Sequence, residues 1–215
     1  MSSILNTVIK KDNALSVVVG QSKKGLNWPT LVGDLLLRDV LEAEKFRRCI
    51  VLNFDRQDKQ ISGAVDAEFA HKMTIVNALG VPAGIQTLEE VLEEVKTLIS
   101  AETSQFSVDD DEGFNLVVVM VYSFSSLEMA CGRNGTNKFI AQLCDSLIRT
   151  KITTSSSCET TTEVQLIGTV IGTVHSNLHS SQQIASLYQA RAGKVGVIEL
   201  WGGRYCSILS PFNFV

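Results

Sequence analysis

Apolar residues along this chain fall into two rhythms. Short continuous runs alternate with longer stretches in which apolar positions recur every three or four residues. Ala14–Val19, Cys49–Phe54 and Asn115–Val121 are the continuous runs, and each reads as a strand buried on both faces. Between them, Leu31, Leu35, Val40 and Leu41 predict a helix ending near Glu44, with Asn27 as its N-cap and Pro29 in its first turn. Thr87–Ser100 predicts a second helix. Thr87 caps it, Glu90 lies in its first turn, and Leu88, Val91, Leu92, Val95 and Leu98 form its stripe. Asn137–Arg149 predicts a third, with Phe139, Ile140, Leu143 and Leu147 inward.

The remaining segments are less regular. Within residues 55–86, Ala64–His71 reads as a short helix and Val76–Leu79 as a short strand or helix. Thr103–Gly113 is an acidic loop containing Asp109, Asp110 and Asp111, and its plain reading is a solvated surface. Thr150–Thr162 reads as a Ser/Thr-rich loop, Val164–Val174 as a long β-rich stretch and His179–Arg191 as a helix. Lys194–Leu200 and Arg204–Leu209 form a hairpin around Gly202 and Gly203. Strands alternating with amphipathic helices predict one three-layer α/β domain over residues 1–215. Its sheet is mostly parallel and closes with an antiparallel C-terminal hairpin.

Composition narrows the classes of function. The chain has 215 residues and a net charge of -4, so bulk charge does not make it a nucleic-acid binder. No apolar run approaches the ~20 residues of a bilayer span, and Lys10, Lys11 and Asp12 interrupt any signal-peptide core. Cys49, Cys131, Cys144, Cys158 and Cys206 are scattered and odd in number, which suits free thiols in a reducing compartment. Only seven of the charged residues lie in residues 151–215. Such a stretch is sheet core or covered surface, and part of residues 164–215 is expected in a subunit interface.

The first strand and helix flank the segment Gly20-Gln21-Ser22-Lys23-Lys24-Gly25-Leu26-Asn27. A phosphate loop reads G-x-x-x-x-G-K-[ST] in that place. Gly20 and Gly25 keep the glycine spacing. Leu26 stands where lysine would meet the β- and γ-phosphates, and Asn27 where a hydroxyl would ligate Mg²⁺. Lys23 and Lys24 lie inside the loop and do not replace the helix-start lysine. The plain alternative is an ordinary glycine-rich turn. The metal-binding strand of such an enzyme ends in Asp. Here the matching strand ends Tyr122-Ser123-Phe124-Ser125-Ser126-Leu127. Asp55, just past the second strand, stands where a carboxylate would activate water, and otherwise reads as a loop residue. The phosphate-loop lysine, hydroxyl and metal-strand carboxylate are all missing, which predicts a pseudo-ATPase with no cofactor.

Other constellations are weaker. His175 and His179 are four apart, but one closes a strand and the other opens a helix, so no metal site is expected. Arg133, Lys138, Arg149 and Lys151 frame one helix and the start of the Ser/Thr loop. They form either a solvated helix face or a local nucleic-acid contact.

The degenerate loop, the strand ending V-Y-S-F-S-S-L and the segment Thr173-Val174-His175-Ser176-Asn177-Leu178-His179 resemble a RecA-like ATPase domain stripped of catalysis. Y-S-F-S-S-L resembles the D-S-L-S-x-L stretch of that fold with Tyr122 in place of Asp. The histidine segment resembles the H-[ST]-D-L-H pattern of Elongator subunit five, with Asn177 in place of its Asp. That resemblance implies a non-catalytic member of a heterohexameric ring of RecA-like Elongator accessory subunits. The ring binds tRNA and serves wobble-uridine modification carried out elsewhere. It also implies a cytoplasmic chain, with the nucleus as a second compartment. The alternatives are a recombinase-paralogue subunit that binds single-stranded DNA with partners, and an enzyme that uses an unfamiliar loop.

Overall fold

A computed structural model describes residues 15–21, 28–44, 46–104, 117–154, 160–175, 194–201 and 204–209. The central sheet has the order β3-β2-β4-β7-β1-β8-β9. Its strands are β1 (Leu15–Gln21), β2 (Arg48–Asn53), β3 (Met73–Asn77), β4 (Val117–Tyr122), β7 (Gly168–His175), β8 (Lys194–Trp201) and β9 (Arg204–Leu209). Each neighbouring pair from β3 to β8 is parallel, and β9 runs antiparallel to β8. β5 (Ile148–Thr154) and β6 (Thr160–Leu166) form a separate antiparallel pair.

Parallel strands need crossovers, and the helices supply cover on both faces. One face packs on α1 (Trp28–Glu42) and α2 (Asp58–Ser62) through Val18, Leu36, Leu37, Val40, Val51, Ile61, Val118 and Met120. The other packs on α3 (Leu88–Thr103) and α4 (Phe124–Ser146) through Val17, Ile50, Leu52, Val91, Val95, Val119, Phe139 and Leu143. Every residue of β4 is buried, because it lies mid-sheet between two helical layers. The alternation along β4 divides it cleanly: Val117, Val119 and Val121 face α3 and α4, while Val118, Met120 and Tyr122 face α1.

Several local expectations are corrected. α4 is two helical segments joined at Gly132, whose φ of 69° and ψ of 169° are not helical: the second starts a few residues before the expected Asn137, and a first, unexpected segment begins at Phe124. α4 ends at Ser146, so Arg149 belongs to β5 rather than to a helix. The expected Ser/Thr loop is largely the β5–β6 pair, since β-branched threonine suits a pleated ladder. The stretch from Val164 to Val174 divides at Ile167 into β6 and β7, which belong to different sheets. Between β2 and α3, the helix is α2 rather than residues 64–71, where only a 3₁₀ turn at Ala70–Lys72 forms. Met73–Asn77 adds the strand β3 to the sheet edge. The helix expected at residues 179–191 lies outside the described residues. Among the described residues, no helix is long and apolar enough to cross a membrane.

Candidate functional site at the strand ends

In a parallel sheet the ligand edge is the one at the carboxyl ends of the strands. Here Gly20, Asn53, Tyr122 and His175 mark that edge. Register places Asn53 beside Tyr122, and Gly20 beside His175 and Ile198. Lys23, Lys24, Gly25, Leu26 and Asn27 lie outside the described residues, so only Gly20 of the degenerate loop is placed.

Tyr122 closes β4 and is 3% exposed. Its ring lies against α1 at Gly33, where a Cβ would meet Tyr122 Cε1 at 2.7 Å. Glycine is therefore required for this close approach. The Tyr122 hydroxyl donates to Asp34 Oδ1 at 3.2 Å. Arg56 Nη1 donates to the same oxygen at 2.6 Å, and its guanidinium lies 5.5 Å from the centre of the Tyr122 ring. Burial, with the Asp34 carboxylate beside it, pushes the ionisation of the phenol upward. The hydroxyl therefore stays protonated and remains a donor.

The loop after β2 is bonded at nearly every residue. Asn53 is fully buried. Its Oδ1 accepts from Arg56 N at 3.0 Å, and its Nδ2 donates to Asp58 Oδ1 at 2.8 Å. Asn77 Nδ2 of β3 donates to Asp58 Oδ2 at 3.3 Å. Asp55 Oδ2 accepts from Ser126 Oγ at 2.9 Å. The exposed carboxylate proposed for water activation is thus tied to the first turn of α4.

Ser123 makes the turn from β4 into α4. Its φ of 64° and ψ of 99° are the one positive-φ conformation of a non-glycine among the described residues. Such backbone costs on the order of 1–3 kcal/mol. Part of that is offset where Ser123 Oγ accepts from Ser126 N at 3.2 Å and caps the helix.

A RecA-like site holds Mg²⁺ between a hydroxyl at the start of the helix after β1 and a carboxylate ending the metal strand. The end of β4 does not fit that ion. A buried phenol stands at the carboxylate position, and the nearby Asp34 oxygen already accepts from Tyr122 and Arg56. Among the described residues, no group of three or more His, Cys, Asp or Glu side chains could hold a metal.

Arg133 Nε lies 3.4 Å from Glu128 Oε1, and Lys138 Nζ lies 4.0 Å from Glu89 Oε1. Arg149 and Lys151 sit in β5, opposite Gln165 and Glu163. Asp34 and Arg56 were not singled out in the sequence. The signal at Asp34 is a carboxylate directly after Gly33, flanked by the apolar Val32 and Leu35.

These features define a RecA-like α/β fold. One similar structure is a KaiC-like protein from the hyperthermophilic archaeon Pyrococcus horikoshii, solved by crystallography. That match has a TM-score of 0.52 at 12% identity, over 91% of this chain and 81% of the other. The cytoplasmic domain of EssC is also similar, with a TM-score of 0.41 at 15% identity, over 88% of this chain and 31% of that one. No protein-family model and no curated protein matches the sequence.

Proposed function

We propose that this chain is a non-catalytic RecA-like subunit of a hetero-oligomeric ring, of the Elongator accessory kind, that supports tRNA binding. The observation that carries the reading is Tyr122 at the end of β4, turned toward α1 and bonded to Asp34. A metal-dependent NTPase needs a free carboxylate there. Leu26 and Asn27 in the loop sequence point the same way, and His175-Ser176-Asn177-Leu178-His179 supplies the resemblance to Elongator subunit five. In this reading, partner subunits cover part of residues 164–215, and tRNA meets a local surface shared among subunits.

Native mass spectrometry of the complex purified from cells tests the assignment, because it gives partners and stoichiometry together. Two other RecA-like Elongator subunits in a heterohexamer are expected. Recovery with a recombinase and single-stranded DNA would instead identify a repair subunit. Mg²⁺-dependent ATP hydrolysis by the homogeneous chain, lost on Lys24→Ala or Asp55→Asn, would overturn the non-catalytic part.

A further inference from the structure

The contacts around Tyr122 join three elements that are distant in sequence. Asp34 comes from α1, Arg56 from the loop after β2, and Tyr122 from the end of β4. In a nucleotide-binding domain of this fold, the metal and the phosphates tie these same elements together by charge. Here one carboxylate oxygen receives both a guanidinium and a phenol. The guanidinium also lies over the phenol ring.

We propose that Asp34, Arg56 and Tyr122 form a built-in clasp that replaces the nucleotide–metal pair as the link between α1, β2 and β4. This rests on the non-catalytic reading and adds to it: the strand ends are held in their assembled arrangement with no ligand required.

Three features support the clasp. The three side chains are mostly withdrawn from water, with Arg56 13% and Asp34 23% exposed and the whole of Tyr122 3% exposed. A charge-assisted hydrogen bond in such a place outweighs a surface ion pair. The Arg56 backbone is itself fixed, since Asn53 accepts from its N–H and donates to its carbonyl. The guanidinium is thus delivered by a rigid loop, and little order has to be imposed to make the contact. Finally, Gly33 leaves room for the ring to reach Asp34. The approach requires this glycine beside this carboxylate, which chance packing does not.

A double-mutant cycle in urea on the full-length chain tests the clasp, using Tyr122→Phe, Asp34→Asn and Arg56→Met. Each substitution keeps most of the side-chain volume. Each single change is expected to lower the folded-to-unfolded ratio about tenfold. The pairs should be non-additive by roughly fivefold or more. Millimolar Mg²⁺–ATP should leave the wild-type midpoint unchanged. Additive singles with no nucleotide effect would overturn the clasp and leave the non-catalytic reading standing. A wild-type midpoint raised by Mg²⁺–ATP would overturn the clasp as the replacement for a ligand. Hydrolysis measured on the same sample then decides the non-catalytic reading separately.

Discussion

The ring of Phe124 occupies the space that a Cβ on Gly172 would need. Phe124 is the first residue of α4 and Gly172 lies within β7, so the helix start sits directly on the sheet backbone. Gly172→Ala is therefore expected to destabilise the fold by about 1–3 kcal/mol through overpacking. Chemical denaturation measures the loss. Phe124→Leu in the same chain should recover part of it by shortening the ring that collides. A Gly172→Ala chain as stable as wild type would show that Phe124 has other room to occupy.

Restoring the missing carboxylate should not restore a metal site. Tyr122→Asp would remove the ring packed on Gly33 and place a second carboxylate beside Asp34. Two close like charges resist joint ionisation, so the introduced acid would have a raised pKa in the fold. A raised folded pKa costs stability once the unfolded carboxylate ionises. The destabilisation relative to Tyr122→Ala should therefore grow as pH rises from 4 toward 7. Denaturation curves across that range, with and without Mg²⁺, give the answer. Full rescue by Mg²⁺ would mean that the position still binds metal.

The architecture was legible because parallel strands covered on both faces become continuous apolar runs, and Val117–Val121 is such a run. The capping pattern of Thr87 and Glu90 likewise announced α3. Other elements were hidden for specific reasons. Serines at 123, 125 and 126 and glycines at 132 and 135 disguise the first half of α4, whose bend needs Gly132 at positive φ. Threonines at 153, 154, 160, 161 and 162 look like loop until they are paired across β5 and β6. The site was half visible. That β4 ends in Tyr122 rather than a carboxylate shows in the linear sequence. The partners of Tyr122 do not, because Asp34 and Arg56 reach it only through the sheet register that sets Asn53 beside Tyr122.

The start of α3 offers a pH-dependent test. Glu90 Oε2 accepts from Thr87 N at 2.7 Å, and Thr87 Oγ1 accepts from Glu90 N at 3.2 Å. The hydrogen bond from the Thr87 backbone, then that from its side chain, hold the Glu90 carboxyl below its ordinary value. A lowered folded pKa means that the contribution is present above the unfolded glutamate pKa of 4.5. It is lost as pH falls through the lower folded value. Thr87→Ala should cost about 1 kcal/mol near neutrality. Glu90→Gln should flatten the acid limb of the stability curve. An unchanged acid limb would show that Glu90 is not linked to folding.

The thiols should divide by burial. Cys49 is fully enclosed in β2, and desolvation pushes its pKa up to about 12. Cys131 is half-buried, and burial followed by the nearby Glu89 raises its pKa as well. The thiolate is the reactive form. In the native chain at pH 8, an alkylating reagent should leave Cys49 unmodified while Cys131 reacts slowly. Peptide mass spectrometry resolves the two. Rapid native labelling of Cys49 would mean that β2 opens readily.

The basic residues allow the tRNA proposal to be divided by position. Arg133 and Lys138 have acidic neighbours in Glu128 and Glu89, which compete with phosphate for each cation. Arg149 and Lys151 lie in β5, in backbone register with Gln165 and Glu163 of β6. Reversing Arg133, whose cation is already shared with Glu128, should therefore change tRNA binding by the assembled complex little, and reversing Arg149 tests β5 in the same assay. Each phosphate contact removed lowers the slope of log affinity against log salt by about 1. Filter binding across a salt series with Arg149→Glu and Arg133→Glu complexes measures both effects. A slope reduced by Arg149→Glu alone supports a contact made from the β5–β6 ribbon. Equal slopes in wild type and both variants would remove these residues from the tRNA surface and assign it to the partner subunits.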